Sequence, residues 1–244
     1  MKKYVFILIA MYNMLYGQNN KDSDVLQKSF IYSPGKEGAV VFRKAIVIKD
    51  DISKAELNIF ADSYYSLYIN GKYVINGPSR FDPSRPEYDT KNVNQFLKKG
   101  KNQIAVLVYS GISSGMRMKH DAGLTLLLRG KGFNLVTDTS WKCSGKTRFK
   151  TPWSLWNGLK ETIDASSENG DCLNPGYDDS KWEYAVSVNG SKWGKLHTRI
   201  LPFLAEREIK SWKKLMYPAI SDTFKITFDK NYLVNVEMLL EAEQ

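Results

Sequence analysis

An all-β sandwich is the fold class that this sequence predicts. From residue 40 onward, short segments rich in β-branched and aromatic residues follow one another, and turns containing Asn, Gly or Pro separate them, which is the pattern of antiparallel strands. No long segment keeps the apolar periodicity of an amphipathic helix. The chain has 244 residues, of which 43% are hydrophobic, so it can bury one core and a small appendage.

The first predicted strands lie at residues 40–48, 55–60, 66–69 and 72–75. The last two flank Asn70-Gly71, and Asn-Gly is the strongest short hairpin signal because a type I′ turn needs positive φ at both central residues. Leu67 and Ile69 alternate with more polar neighbours, so we expect one face of this hairpin to be buried.

The remaining predicted elements are a helical turn at 93–97, strands at 103–109, 124–129 and 133–137, and late strands at 225–228 and 233–236. The run 103–109 is apolar almost throughout, so we expect it to be buried on both faces. The order of short strands favours a jelly roll over an immunoglobulin fold, whose cysteine–tryptophan–cysteine spacing is missing.

The first 18 residues, MKKYVFILIAMYNMLYGQ, have the layout of a secretory signal. Two lysines precede a mostly apolar run at 4–16, and Gly17 precedes the expected cleavage. The alternative is an uncleaved membrane anchor, but the run is short for a transmembrane span. We therefore expect a signal peptide at 1–17, a polar lead-in segment at 18–38 and, after cleavage, a secreted or periplasmic protein without a transmembrane segment.

The formal net charge is +9, but the lysines are spread along the sequence and no nucleic-acid motif accompanies them, so nucleic acid is not a predicted partner. Weak attraction to acidic glycans or to a membrane surface stays open. Cys143 and Cys172 could form a disulfide in an oxidising compartment or could be two buried thiols. His120 and His197 are the only histidines, so a zinc site is not predicted.

Several segments carry a combination of motifs whose order along the chain is more specific than any one of them. They are FRKAIVI, AELNIFADSYYSLYINGKYVINGPSRFD, EYDTKNVNQFLKKGKNQIAVLV, TDTSWK at 137–142, ETIDAS at 161–166, NPGYDDSKW at 174–182 and RILPFLAERE at 199–208. Together, over residues 40–208, they resemble the N-terminal β-sandwich module of bacterial α-L-rhamnosidases. Ser166 departs from the resemblance, because the family often has Arg at this position.

The resemblance implies a galactose-binding-like jelly roll over 39–208, followed at 209–244 by a linker and the start of a truncated second β-sandwich. In the family, hydrolysis belongs to an α-helical barrel further downstream, for which this chain has no room. The resemblance therefore implies a module that is not active alone, and no catalytic residue is assigned.

Candidate ligand-binding residues are aromatic side chains, whose faces can stack on sugar rings, and planar arginines, which can donate paired hydrogen bonds. They are Tyr64, Tyr68, Arg80, Arg85, Tyr88, Trp153 and Trp156. The alternative is that the tyrosines only cover the sandwich and that the two arginines pair with Asp82 and Glu87. The loop at 76–89 contains three prolines and is therefore stiff, and we expect it to form a recognition or docking edge.

No cofactor or metal is predicted. Asp50-Asp51 and Asp178-Asp179 could contribute to a structural calcium site, but the spacing of a calcium loop is missing. Asp89 and Asp178-Asp179 are more simply turn or capping residues, since their oxygens accept from nearby backbone N–H groups.

The predicted function is a non-catalytic carbohydrate-binding or accessory module for the breakdown of α-L-rhamnosides in plant glycans. Its predicted partners are rhamnose-containing glycans and a partner glycoside hydrolase or a missing catalytic part. Two alternatives stay open: an inactive fragment of an α-L-rhamnosidase, and a structural domain that docks on a glycoside hydrolase. A small hydrolase in its own right would need two carboxylates facing each other across a bond.

Overall fold

In the computed structural model of the protein, the described residues are 21–35, 38–49, 52–79, 81–82, 84–110, 123–150, 153–154, 158–159, 162–164, 166, 171–187, 193–203, 225–228 and 234–237. Only the backbone is described at 153–154, 158–159, 225–228 and 234–237. The chain divides into two compact units, Met1–Pro202 and Phe203–Gln244.

The first unit consists almost entirely of strands. Its described elements are a helix, α1, over 21–28, then β1 (Ile31–Tyr32), β2 (Ala39–Ile48), β3 (Ala55–Asp62), β4 (Tyr64–Ile69), β5 (Lys72–Gly77), β6 (Glu87–Asn92), a 3-10 helix at Asn94–Phe96, β7 (Gly100–Tyr109), β8 (Gly123–Gly130) and β9 (Phe133–Val136). Shorter strands follow: β10 (Lys142–Ser144), β11 (Phe149–Lys150), β12 (Trp153–Ser154), β13 (Gly158–Leu159), β14 (Thr162–Ile163), β15 (Glu183–Tyr184), β16 (Val186–Ser187) and β17 (His197–Thr198).

Two sheets form the body of this unit. The seven-stranded sheet has the order β16-β1-β8-β3-β6-β17, with β9 also paired to β8, and the six-stranded sheet has the order β15-β10-β2-β7-β4-β5. Neighbours pair in antiparallel fashion, except that β17 lies parallel to β6. The predicted all-β sandwich is confirmed.

The core lies between the two sheets, and β7 shows how the sequence builds it. Its residues Ile104, Val106 and Val108 belong to the cluster that also contains side chains of the opposite sheet. The alternate residues Ala105, Leu107 and Tyr109 belong to a second cluster on the outer face, under Phe149, Cys172 and Leu173. Because successive side chains of a strand point to opposite faces, this double burial explains the unbroken apolar run, as predicted.

A short helix covers the outer face of the seven-stranded sheet. Leu26 of α1 and Phe30 just after it are buried in a third cluster, although the sequence suggested only a polar lead-in segment here. Ser23 of α1 donates to the carbonyl of Leu196 at 2.5 Å, and the Leu196 amide donates to Gln27 at 3.0 Å. The segment before the sandwich is therefore bound to the segment that ends the unit.

The two ends of the sandwich carry different connections. We call one end the turn end: it carries the β4–β5 turn and the connections β2–β3, β6–β7 and β8–β9. These connections lie together because Ile48 pairs with Gly100 and Ala55 pairs with Gly130. At the other, which we call the loop end, the β5–β6 loop lies beside the junction of β3 and β4. Asn70 and Gly71 have φ of 54° and 77°, which confirms the predicted type I′ character of the turn.

The described residues of the second unit form one antiparallel hairpin. Its strands are β18 (Lys225–Phe228) and β19 (Val234–Glu237), which pair with Lys225 opposite Glu237. They agree with the late strands predicted from the sequence. The predicted signal peptide at 1–17 lies outside the described residues, and within the described ones no helix combines the length and apolar character needed to cross a membrane.

Candidate functional site

The predicted ligand-binding residues fall on different sheets. Tyr64 and Tyr68 lie on β4 in the six-stranded sheet, whereas Tyr88 lies on β6 in the seven-stranded sheet. Trp153 is in β12, opposite Leu159, with only its backbone described. Arg80 and Trp156 lie outside the described residues.

The outer side of β4 and β5 carries a group that we call the tyrosine face: Tyr64, Ser66, Tyr68, Tyr73 and Asn76. It arises from the alternation of β4, in which Tyr65, Leu67 and Ile69 are buried and the residues between them are half-exposed. Tyr68 lies opposite Tyr73, and Ser66 lies opposite Asn76. The tyrosine face therefore combines partly exposed ring surface with hydroxyl and amide groups.

The rings of the tyrosine face are held by their neighbours. Those of Tyr68 and Tyr73 meet edge to face with centroids 5.8 Å apart, and Tyr73 is 40% exposed. The Tyr64 ring lies 6.4 Å from that of Tyr109. Aromatic pairs in such arrangements attract each other beyond their buried area, which stabilises these ring positions.

Tyr88 was predicted to be presented by the loop, and this is wrong. It is only 1% exposed, because the cluster that includes Leu26 of α1 and Leu196 packs over the face of β6 that carries it. Thr198 of β17 donates a hydrogen bond to its hydroxyl at 2.8 Å. Burial raises the pKa of Tyr88, and the bond from Thr198 opposes this in part.

The loop between β5 and β6 is packed onto the sandwich. Phe81 contacts the rings of Phe60 and Trp193, each with a centroid separation of 5.2 Å. Arg85 is exposed and donates to Glu87 at 3.1 Å, which is the pairing alternative for this arginine. The described part of the loop thus rests on aromatic contacts, with Arg85 engaged locally.

A buried carboxylate cluster at the loop end was missed by the sequence reading. Asp89 accepts a hydrogen bond from the Tyr65 hydroxyl at 2.5 Å and another from Arg199 at 2.9 Å. Asp89 lies inside β6 and is fully buried, so the turn or capping role predicted for it is wrong. Nothing local signals the cluster, because its partners lie 24 and 110 residues away.

Burial dominates the electrostatics of this cluster. It raises the pKa of Asp89, while the hydrogen bonds from Tyr65 and Arg199 act in the opposite direction. Burial also raises the pKa of Tyr65 well above its ordinary value, and the neighbouring negative charge of Asp89 adds to this. The cluster joins both sheets to the segment after β17, which fits a structural role.

A buried arginine organises the opposite outer face. Arg43 of β2 is 2% exposed and donates to Asp179 at 2.9 Å, to the carbonyl of Asn174 at 3.1 Å and to the carbonyl of Cys172. Its guanidinium also lies 5.4 Å from the ring centroid of Tyr177 and 5.9 Å from that of Trp182. The NPGYDDSKW motif is therefore fixed around Arg43.

Asp178 and Asp179, considered above as calcium ligands, bind other protein groups in the structure. Asp179 binds Arg43 and also Lys142 at 3.1 Å, and Asp178 accepts from the Ser180 amide at 2.9 Å, a capping contact as predicted. Within the described part of the chain, no group of three or more His, Cys, Asp or Glu side chains could hold a metal ion. Asp50-Asp51 lie outside it.

The two cysteines lie in different layers. Cys143 is buried in the core between the sheets, and Cys172 is buried in the outer cluster beneath the Arg43 motif. Both are thiols in the structure.

Comparisons with known proteins agree with this architecture. The family profile "Alpha-L-rhamnosidase N-terminal domain" matches residues 50–202. An α-L-rhamnosidase of Formosa agariphila is 26% identical over an alignment of 171 residues, and the match covers 60% of this chain and 17% of that protein.

Solved structures give the same result. A GH78 family rhamnosidase of Bacillus sp. GL1 matches 83% of this chain and 22% of its own, with a TM-score of 0.68 and 29% identity. An α-L-rhamnosidase of Dictyoglumus thermophilum matches 73% of this chain and 23% of its own, with a TM-score of 0.59 and 25% identity. The chain thus spans about a fifth of the length of these relatives. It belongs to the α-L-rhamnosidase N-terminal domain family.

Proposed function

We propose that this protein is a non-catalytic accessory module for the breakdown of α-L-rhamnosides and that its tyrosine face binds carbohydrate. The relatives are rhamnosidases, and the part of them that this chain matches is their N-terminal domain. A module of this kind would hold a glycan near a hydrolase that acts on it.

The observation that carries the proposal is the partly exposed row along β4. Tyr64, Ser66 and Tyr68 follow one another on the same side of the strand, with Asn76 beside Ser66. Sugar rings present apolar C–H surfaces and hydroxyls, so a binding site needs aromatic faces with hydrogen-bonding groups between them. The tyrosine face supplies both on two paired strands, β4 and β5.

Isothermal titration of the chain with L-rhamnose and with rhamnose-containing pectic and flavonoid glycans tests the proposal. We expect binding without release of sugar, and we expect Tyr68→Ala to weaken binding about fivefold, since a well-placed ring contact is worth about 1 kcal/mol. Tyr184→Ala is the matched control, because Tyr184 is an exposed tyrosine on β15 at the opposite edge of the same sheet. Equal effects of the two substitutions would contradict the assignment of the face.

A second candidate function is docking on a partner glycoside hydrolase, either as a structural domain or as one part of a divided enzyme. It is favoured by Ile200 and Leu201, which are 69% and 59% exposed just after β17. The test mixes the chain with a rhamnosidase that lacks its own N-terminal domain and measures complex formation by analytical ultracentrifugation. Complex formation without glycan binding would favour this second function.

We also propose that the protein is exported, as the sequence of its first residues indicates. Cell fractionation and N-terminal sequencing of the mature protein test this. A secreted or periplasmic protein that starts at Gln18 is the expected result, and a cytoplasmic chain that retains Met1 would contradict it.

A further inference from the structure

Lysines that are distant in the sequence meet at the turn end of the sandwich. Each lies in or beside one of the connections there, and each is exposed. They are Lys49, Lys54, Lys72, Lys98, Lys99, Lys101 and Lys131. The linear sequence hides this group, because the lysines are spread over more than 80 positions and only the strand pairing brings them together.

In the six-stranded sheet, the pairing of strands sets the positions of three of these lysines. Lys101 lies opposite Val47, two residues before Lys49, and Lys72 lies opposite Ile69 at the start of β5. The strands β2, β7, β4 and β5 are consecutive neighbours in this sheet. With a spacing of about 5 Å between strands, this edge of the sheet is about 15 Å wide.

The other sheet adds lysines at the same end. Ala55 pairs with Gly130, so Lys54 and Lys131, their neighbours in sequence, leave the ends of β3 and β8 side by side. Packed sheets lie about 10 Å apart, which is close to the screening length of about 8 Å at physiological ionic strength. The fields of these charges therefore add.

An asparagine network holds the lysine-bearing connections in place. The Asn70 side chain donates to the Phe96 carbonyl and to the Asn102 side chain, both at 2.9 Å, and accepts from the Gln103 amide at 3.0 Å. Asn102 in turn accepts from the Lys98 amide at 2.9 Å and donates to the Lys98 carbonyl at 2.7 Å. The β4–β5 turn and the segment 98–102 are thus fixed to each other.

The positive charge at this end is not balanced by the described side chains. None of the ion pairs found among them involves any of the exposed lysines of this end. The described acidic residues near this end are Glu56, which lies opposite Arg129, and Asp22, which is buried; Asp50 and Asp51 lie outside the described residues. Arg129 itself pairs with Asp22 at 2.7 Å.

We propose that the turn end binds a polyanionic polysaccharide that carries carboxylates, as a polymer of uronic acids does. The lysines here are compact, strongly hydrated charges that attract spaced anionic groups over a wide surface, and a polysaccharide is the polyanion that fits beside a face proposed to bind carbohydrate. The turn end also adjoins the tyrosine face, because Lys72 directly precedes Tyr73. The choice of a polysaccharide rests on the carbohydrate binding proposed above, whereas the turn end is a site separate from the tyrosine face.

Titration of the full chain with polygalacturonate tests the inference. The test variant combines Lys72→Glu, Lys98→Glu, Lys99→Glu and Lys101→Glu. The control combines Lys28→Glu, Lys146→Glu, Lys150→Glu and Lys181→Glu, which are exposed lysines away from the turn end. Both variants change the net charge by the same amount, so a difference between them reports position rather than overall charge.

We expect the turn-end variant to bind polygalacturonate at least about tenfold more weakly, because four exposed charge pairs of ordinary strength amount to about one order of magnitude. The control variant should change affinity less than about twofold. If the turn-end variant does not fold, Lys→Gln at the same four positions replaces it. Fully methyl-esterified polygalacturonate, which has lost its charges, should not bind.

Equal losses in the two variants, or no loss in either, would overturn the inference. So would single-stranded DNA or vesicles of anionic phospholipid that bind the chain as tightly as polygalacturonate does. A chain that binds polygalacturonate but no neutral rhamnoside would contradict only the role of the tyrosine face. A chain that binds rhamnosides but not polygalacturonate would contradict only the role of the turn end.

Discussion

Arg199 donates a hydrogen bond to Asp89 across 2.9 Å and so joins the segment after β17 to the inner side of β6. Tyr65, on the other sheet, donates to the second oxygen of the same carboxylate. One buried acid thus connects the two sheets and the last segment of the unit, so it should contribute to the stability of the unit.

Arg199→Met should destabilise the unit by about 3 kcal/mol, because it leaves Asp89 buried without its charged partner. Urea denaturation followed by circular dichroism measures the loss. Arg85→Met is the matched control: its pair with Glu87 is half-exposed, and exposed pairs contribute about 0.5 kcal/mol. Equal losses in the two variants would show that burial of the Asp89 pair has no special effect.

The Asp89 cluster also sets a direction for pH dependence. Burial raises the pKa of Asp89 above its ordinary value of 3.8, so the folded chain holds this proton more tightly than the unfolded chain does. The stability that comes from the protonated Asp89 carboxyl is therefore fully present below pH 3.8. It is lost as the pH rises through the folded-state pKa of Asp89.

The free energy of unfolding of the wild type relative to Asp89→Asn, measured from acid to neutral pH, tests this direction. We expect the difference to shift against the wild type as the pH rises. The reverse slope would mean that the charged bond with Arg199 outweighs burial.

Arg43 should be hard to replace. Arg43→Lys should cost about 3 kcal/mol, since a single ammonium cannot supply the several directed donors of the guanidinium and the backbone carbonyls would lose their partner. Thermal denaturation and limited proteolysis at 171–182 measure the effect. Lys44→Ala, on the next residue of the same strand but half-exposed, should change stability by less than about 0.5 kcal/mol. An Arg43→Lys variant as stable as the wild type would contradict the role of Arg43 in fixing the NPGYDDSKW motif.

Asn70 provides both the positive φ of the turn and the hydrogen bonds of its side chain. Asn70→Gly removes only the hydrogen bonds. Glycine keeps the positive φ that the turn needs but removes the three hydrogen bonds of the side chain. We expect a loss of about 2 kcal/mol in chemical denaturation. Asn92→Gly, which removes one exposed bond to the Asn94 amide, should lose less than about 1 kcal/mol. A neutral Asn70→Gly would show that only the backbone conformation of this residue matters.

Much of the fold could be predicted from local pattern. The alternation along β4, the apolar run of β7 and the Asn-Gly turn each encode their own conformation, and the structure has all three. The helix α1 was missed because it is short and mostly polar in sequence, and it is fixed by contacts with residues 194–196 that no local pattern reveals.

The candidate site was harder to predict for a related reason. Tyr64 and Tyr68 could be placed on a partly exposed face, because strand alternation fixes which way they point. Tyr88 could not, since its burial depends on contacts with distant residues such as Leu26 and Leu196, and the partner of its hydroxyl, Thr198, lies 110 residues later in the chain. The lysines of the turn end were likewise interpreted as scattered, because the register between distant strands decides which of them are neighbours.

The hydrogen bonds between α1 and Leu196 affect how the ends of the unit unfold locally. Terminal segments usually fray independently and exchange their amide hydrogens fastest. Here Ser23 and Gln27 are bonded to Leu196, so release of either terminal segment removes the partners of the other. The helix α1 and the segment around Leu196 should therefore open as a single cooperative unit, with matching exchange rates although they lie far apart in the sequence.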